Sequence, residues 1–340
     1  MNARMDDTLL QVDDLQVHFP RPGKGLFGRP EVVKAVDGVS FSLRRGSTLA
    51  VVGESGSGKT TTALAVMRLA PVTAGRMQLG DTDLGGLSGE ALRQARRRMQ
   101  IVFQDPFSSL NPRQRAGDAV RAPLDLMDVG TPAEREARVA ELFTQVGLRP
   151  EQRQLFPHQF SGGQRQRINI ARALATRPEL VVCDEPVSAL DIAIRAQILN
   201  LLARLQRELG LSYLFISHDM AVVEHICDDI AVMYLGQIVE RAPRQAFFAR
   251  PLHPYSVALM SAVPTVRGGR ERAARRIRLA GDPPSPINPP AGCRFAGRCP
   301  VAVPACSAEA PPLREAAPGH WVRCIRVDYI DGVPRAPLAL

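Results

Sequence analysis

The sequence predicts an α/β fold in which short buried strands carry polar residues to the C-terminal edge of a parallel sheet. Three stretches predict it. Leu49–Val52 is an apolar strand that runs into Gly53-Glu54-Ser55-Gly56-Ser57-Gly58-Lys59-Thr60, and a helix-forming segment follows. Leu180–Cys183 is a second apolar strand, and it ends in Asp184 and Glu185. Tyr213–Ile216 is a third, followed by Ser217 and His218. Apolar runs without alternation are strands buried on both faces, the habit of parallel sheets, and ligands sit beyond the carboxyl ends of such strands.

The first stretch has the form G-x-x-x-x-G-K-[ST] between a strand and a helix, the context in which that pattern is a phosphate loop. Its glycines let the backbone curl so that N–H groups turn inward, and the helix N-terminus adds partial positive charge. Of the 43 basic residues only Lys24, Lys34 and Lys59 are lysines. A chain that otherwise writes arginine keeps a compact ammonium at Lys59, where a longer planar group is harder to fit against phosphates. Thr60 offers a hydroxyl to Mg²⁺. Asp184 is the second candidate for that ion, and Glu185 is placed to act as general base on water. His218 and Gln104, each at the end of an apolar strand, are candidates for sensing the terminal phosphate and, for Gln104, the ion. Read singly, a histidine is more often structural and two acids are often a surface turn; the phosphate loop beside them favours the functional reading.

Composition bounds the rest. The chain has 340 residues, 45% hydrophobic and 23% charged, which is ordinary for a folded chain with a real core. No apolar run reaches the roughly eighteen residues that a membrane span needs. The N-terminal MNARMDDTLLQVDD is acidic where a signal peptide is basic and then apolar, so no export is expected. The net charge of +9 permits nucleic acid or an anionic membrane surface as a partner, but aromatics are only 5%, which disfavours nucleic acid. A compositional preference for arginine explains the charge, with membrane proximity second.

In this order the pieces resemble the ATP-binding subunit of an ABC transporter. Gly53–Thr60 looks like Walker A and Gln104 like the Q-loop. Ser161-Gly162-Gly163-Gln164 looks like the signature motif, with Phe160 where the family usually has leucine. Leu180–Glu185 looks like Walker B, Ser188–Asp191 like the D-loop, and His218 like the switch histidine. The resemblance implies a P-loop NTPase domain with an antiparallel β-layer and an α-helical subdomain. It implies ATP and Mg²⁺ as ligands, bound through Gly53, Ser55, Gly56, Ser57, Gly58, Lys59, Thr60, Thr61, Gln104 and Asp184. Ser161, Gly162, Gly163, Gln164 and Asp191 are implied to face the nucleotide of a second subunit. Ser161 is a good helix cap, and the glycines after it leave N–H groups open to an anion. Phe19 is the candidate platform for adenine, with His18 as rival; Phe27, inside the insertion that follows, is read as surface packing.

Residues 8–52 alternate in short apolar stretches and read as the β-layer. Residues 105–165 read as helical: Thr131 and Glu134 form a capping box, Pro132 sits in the first turn, Gly147 fits the stop, and Val139, Phe143 and Val146 share a face. The resemblance makes this the subdomain that docks on membrane subunits, with Asp105–Pro112 coupling the nucleotide to that surface. A nucleotide-binding domain is expected over 8–250. From about residue 251 the composition turns to proline, glycine and arginine, and 251–340 resembles the C-terminal extension of dipeptide and oligopeptide (and nickel) importer ATPases.

Cys183 and Cys227 read as small buried residues. The other four are spaced Cys293-x5-Cys299-x6-Cys306-x17-Cys324. Spacing alone leaves zinc, an iron–sulfur cluster and unliganded thiols open; the importer resemblance implies a [4Fe-4S] cluster. Taken together, the resemblance implies a peripheral subunit on the cytoplasmic face of the cell membrane that energises import of di- or oligopeptides. The partners it implies are two transmembrane permeases, a second, unlike ABC ATPase subunit, and an extracytoplasmic binding protein. Nickel or glutathione are alternative cargoes, and a soluble ABC ATPase acting on nucleic acid or the ribosome is the rival class.

Overall fold

The structure is a computed structural model that describes residues 7–22, 30–263, 277–330 and 333–338. Phe27 lies outside the described residues. Two compact units interleave along the chain. One contains residues up to Gln11, Ser42–Thr48 and Gln78–Ile216; the other contains Val12–Phe41, Leu49–Met77 and the chain from Ser217 onward.

In the first unit β6 (Met99–Val102), β7 (Leu180–Asp184) and β8 (Ser212–Ser217) form parallel pairs, with Met99 opposite Leu180 and Leu180 opposite Ser212. Every residue of β7 and β8 is buried, as expected of strands covered on both faces. The helices are α2 (Gly89–Arg98), α3 (Ala116–Leu126), α4 (Pro132–Gln145), α5 (Gly162–Leu174) and α6 (Ile192–Leu209). The expected cap of α4 is present: Thr131 Oγ1 accepts from the Glu134 N–H, and the Glu134 carboxylate accepts from the Thr131 N–H at 2.7 Å. Val139, Phe143 and Val146 are buried, and α3, α4 and α5 pack together. Ahead of the strands, Glu179 accepts from Arg98 and Arg45 and ties the entry of β7 to two arginines.

In the second unit β3 (Thr48–Val52) pairs in parallel with β9 (Asp229–Tyr234) from Leu49 and Asp229 onward. β9 turns at Leu235-Gly236, both at positive φ, into antiparallel β10 (Gln237–Pro243). This is the two-residue turn whose twist suits a hairpin. β12 (His320–Val322) adds to β10, and β11 (Arg314–Ala317) adds to β12. Short helices α1 (Lys59–Val66), α7 (Met220–Ile226), α8 (Arg244–Ala249), α9 (Pro254–Ser261) and α10 (Pro304–Ala308) complete it, with a small hairpin of β13 (Asp328–Ile330) and β14 (Val333–Arg335).

The β-layer is a sheet of order β2-β1-β4-β5, from β1 (Thr8–Arg21), β2 (Glu31–Arg44), β4 (Ala74–Leu79) and β5 (Thr82–Asp83). It corrects the expected span of 8–52. The layer takes β4 and β5 from beyond that span and ends at Arg44, because β3 is wholly buried and pairs in parallel elsewhere.

The proline-rich segment after 251 does not stand apart from the core of its unit. Tyr255 and Phe295 belong to one buried cluster with Ala50, Val52, Val232 and Tyr234. Glu240 of β10, fully buried, accepts from the Leu252 N–H, the His253 N–H and His320 Nε2, each at 2.7 Å. A buried carboxylate with three donors is satisfied; with fewer it is costly. His253 caps α9 by accepting the Tyr255 N–H at its Nδ1, so its ring is neutral there.

Burial lowers the His253 pKa from its ordinary 6.5 to about 4, even with Glu240 pulling the other way. In the unfolded chain this group takes up a proton near its ordinary value, while the folded one does so only near 4. Stability from this group is therefore full above the unfolded value and falls as pH drops through the interval between the two. Acidification from about pH 7 to about pH 5 is expected to remove roughly 2 kcal/mol through this residue. Urea unfolding at the two pH values checks it: His253→Gln, which cannot titrate, should flatten that part of the difference.

Candidate functional site

The Gly53–Thr60 loop is shaped by backbone packing. A Cβ on Gly53 would lie 2.1 Å from the Met233 carbonyl oxygen, and one on Gly58 would lie 2.3 Å from that of Ala35. Gly58 has φ of 104°, which side chains rarely adopt. No other residue fits either place. From the facing hairpin turn, the Gly236 N–H donates to the Ser57 carbonyl at 2.8 Å. Lys59 is buried, and its Nζ donates to the Gly53 and Glu54 carbonyls, each at 2.8 Å, which folds the ammonium back over the loop. Ser57 Oγ is buried with no hydrogen-bond partner. An orphaned hydroxyl in a glycine-rich loop that opens a helix, beside a buried ammonium, fits an anionic ligand. Ser55, Gly56 and Thr60 are exposed and Thr61 is half-buried.

Glu54 is the member of the loop whose surroundings the sequence did not reveal. Its carboxylate takes a two-pronged ion pair from Arg298, at 2.7 and 3.2 Å, and its N–H donates to Tyr255 Oη at 2.8 Å.

In the other unit Asp184 is buried at the end of β7. Glu185 follows with φ of 48°, an uncommon conformation for a residue with a side chain. Its N–H donates to the Ile216 carbonyl at 3.0 Å, and its Oε2 accepts from Gln104 Nε2 at 2.9 Å. Two residues 81 positions apart in sequence, each singled out as a strand end, are thus hydrogen-bonded. Ser161 is the cap of α5 as expected: its Oγ accepts the Gln164 N–H, and Gln164 Oε1 accepts the Ser161 N–H. The Ser161 hydroxyl proton remains available to an incoming acceptor. A Cβ on Gly163 would meet Ile194 at 2.6 Å, so this glycine lets α6 approach. Phe160, where the family usually has leucine, is buried. Asp191 precedes α6 and is exposed, and His218 is exposed beyond β8.

Phe19 is half-buried in β1. Its rival His18 has its Nε2 2.8 Å from Asp37, so that ring edge is committed.

Cys183 and Cys227 are buried, as expected. Cys293, Cys299, Cys306 and Cys324 all line one small cavity with His253, Phe295 and Pro311. Burial raises the Cys293 and Cys299 thiols and brings Cys324 up to about 11. Among the described residues no group of three or more His, Cys, Asp or Glu side chains is placed to hold a metal ion. The zinc and iron–sulfur expectations therefore find a shared thiol-lined cavity but no formed metal site.

An anion-shaped loop on a strand–helix joint, a strand ending in Asp-Glu with glutamine on the glutamate, and a capped Ser-Gly-Gly helix define an ABC-type ATPase. The comparisons agree. The ABC transporter family matches residues 36–188, and the C-terminal region of oligopeptide/dipeptide transporters matches 239–306. The chain is 49% identical to the oligopeptide transport ATP-binding protein AppF of Bacillus subtilis (strain 168), over 95% of this chain and 99% of that one. It is 46% identical to the dipeptide transport ATP-binding protein DppF of Escherichia coli (strain K12), over 98% of each. One chain of the dimeric, ADP- and Pi-bound post-hydrolysis structure of the ATP-binding cassette MJ0796 superposes with a TM-score of 0.61 at 27% identity. That match covers 69% of this chain and 98% of that one. The chain belongs to the ATP-binding subunits of oligopeptide/dipeptide ABC transporters, and it is an ATPase.

Ser57 separates binding from folding in one experiment. Ser57→Ala removes a buried polar atom that has no partner, so the nucleotide-free protein is expected to be as stable or more stable, by up to about 1 kcal/mol. Its affinity for ATP should fall about tenfold, the loss of one hydrogen bond to a charged group. Thermal unfolding without nucleotide and a titration with ATP read the two effects.

Proposed function

We propose that this chain binds Mg-ATP through Gly53–Thr61 and hydrolyses it with Glu185 as general base, powering import of di- or oligopeptides. The observation that carries this reading is the Gln104–Glu185 hydrogen bond. It joins the proton acceptor to the residue that opens the Asp105–Pro112 segment, which the family resemblance assigns to coupling with the permeases. Lys59 and the loop N–H groups hold the phosphates. Thr60, Asp184 and Gln104 would hold the ion, which would supply charge neutralisation at the phosphates. Glu185 takes a proton from the attacking water, and its left-handed backbone keeps the carboxylate at the strand end. His218 contacts the terminal phosphate, and Phe19 stacks on adenine.

The exposed cap of α5 serves a second subunit's nucleotide in this reading, with Asp191 beside it. A sister ATPase completes the pair, two permeases receive the motion, and an extracytoplasmic binding protein delivers the cargo. The subunit is peripheral on the cytoplasmic face of the membrane; no described helix is long and apolar enough to cross one. A groove lined by Gln100, Ile101, Phe103, Ser108, Pro123 and Arg172, with Phe103 and Phe107 exposed, is the docking surface in this reading. The division into a nucleotide-binding part over 8–250 and an extension over 251–340 belongs to the same proposal. Peptide is preferred over nickel or glutathione because the relatives are oligopeptide and dipeptide transport proteins.

Glu185→Gln keeps an acceptor for Gln104 but cannot take a proton. It is expected to bind ATP within about threefold of the parent, to lose about 100-fold or more in turnover in the assembled transporter, and to trap a closed dimer. Unchanged turnover would remove Glu185 from this role.

The four C-terminal cysteines are assigned to a [4Fe-4S] cluster as a finer part of the proposal. In its favour are four thiols on one cavity, the donor number such a cluster takes. Against it stands the absence of a formed metal site among the described residues. Iron and acid-labile sulfide in protein purified without oxygen check the assignment. Stoichiometric zinc without sulfide, or no metal at all, rejects it.

A further inference from the structure

The segment between Cys293 and Cys299 carries two arginines, and both lead to the loop at Gly53–Thr60. Arg298 is partly buried, with its side chain 9% exposed, and clasps the Glu54 carboxylate with two N–H groups. Its guanidinium also stands over the Tyr234 ring, 5.9 Å from the centroid. Arg294 donates to the Leu235 carbonyl and pairs with Asp37. Leu235 shares its turn with Gly236, whose N–H holds the Ser57 carbonyl. Phe295, between the two arginines, packs edge-on against Tyr234 at 5.2 Å and lies 5.4 Å from Tyr255. Tyr255, fully buried, completes the clasp by accepting the Glu54 N–H.

Glu54 is therefore held at three places. Its N–H goes to Tyr255, its side chain to Arg298, and its carbonyl to Lys59 Nζ. Rotating the Gly53–Glu54 or Glu54–Ser55 peptide would break at least one of these bonds. The arrangement occupies the Glu54 N–H, and the Glu54 carbonyl also accepts the Ser57 N–H at 3.2 Å, so neither of these N–H groups is left for phosphates. A loop held ahead of ligand loses less conformational entropy on binding.

We infer that Arg298 and Tyr255 are positioning residues for the phosphate loop: they latch Glu54 and so make the C-terminal, cysteine-bearing segment part of the nucleotide site. The inference rests on the proposed reading of Gly53–Thr60 as that loop. Neither residue touches nucleotide. The latch sets how much of the population holds the loop in its binding shape, so it acts on affinity and leaves the chemical step alone.

The test uses the full-length protein, with ATP affinity, KM, kcat and thermal midpoint measured for Tyr255→Phe, Arg298→Lys and Arg298→Gln. Tyr255→Phe removes one hydroxyl without changing charge. It is expected to weaken ATP binding about threefold to tenfold, with kcat at saturation unchanged. Arg298→Lys, which keeps the charge but loses the two-pronged geometry, should fall between the parent and Arg298→Gln. Effects on the midpoint alone, with affinity within twofold for Tyr255→Phe and Arg298→Lys, would overturn the inference. Lys59→Ala is the control for the reading beneath it. If Lys59→Ala abolishes binding while the latch variants bind normally, the latch fails alone; if Lys59→Ala binds ATP normally, the loop assignment itself has failed.

Discussion

The close approach of backbone carbonyls to Gly53 and Gly58 is the constraint on which the site depends. Met233 at the end of β9 and Ala35 in β2 place their oxygens where a side chain would begin. The loop can only run through that gap as bare backbone. Gly236, at the β9–β10 turn, adds the bond to Ser57. The elements around the loop thus act as a mould, and Lys59 folds over the result. The unpartnered Ser57 hydroxyl is what such a mould leaves when it is built for something it does not itself contain.

Glu185 shows a second kind of constraint. A left-handed backbone in a residue with a Cβ has a cost, and it persists only where neighbours hold it. Here the N–H is held by Ile216, the carbonyl accepts from Ser188 Oγ at 3.0 Å, and the carboxylate is held by Gln104. The strand end is thereby fixed, and the carboxylate is oriented by the Gln104 side-chain amide at 2.9 Å.

Legibility in the sequence followed the range of the interactions. The phosphate loop, the α4 capping box and the Ser161 cap were readable because their chemistry closes within three to seven residues. The apolar strands were readable because burial on both faces leaves no alternation. The boundary of the β-layer was misread: β3 continues the same apolar character but pairs with β9, a partner chosen by tertiary packing. The latch on Glu54 was invisible for the same reason, since Arg298 is 244 positions away and an arginine among 43 basic residues carries no signal. Glu240 and His320 were missed likewise, because a buried carboxylate is recognisable only by its donors. The four cysteines were readable as a group but not as a site: their spacing suggested ligation, and their convergence on one cavity is tertiary.

The helix opened by Ser161 has a part beyond its mouth. One turn further on, the Arg165 guanidinium lies over the Phe107 ring, 4.2 Å from the centroid, and its Nε donates to the Pro157 carbonyl. Two turns beyond that, Arg172 donates to the Ser109 carbonyl. Both contacts fall on the segment that begins after Gln104, and Gln104 is bonded to Glu185. The segment is therefore gripped at its start by the general base of the proposal and along its length by the helix whose N-terminus faces solvent. A rigid helix moves as one body, so a shift at its capped end is a shift at Phe107 and Ser109 as well. In the proposed reading, nucleotide bound at either end of this arrangement acts on the exposed Phe107 through two arginines and one glutamine.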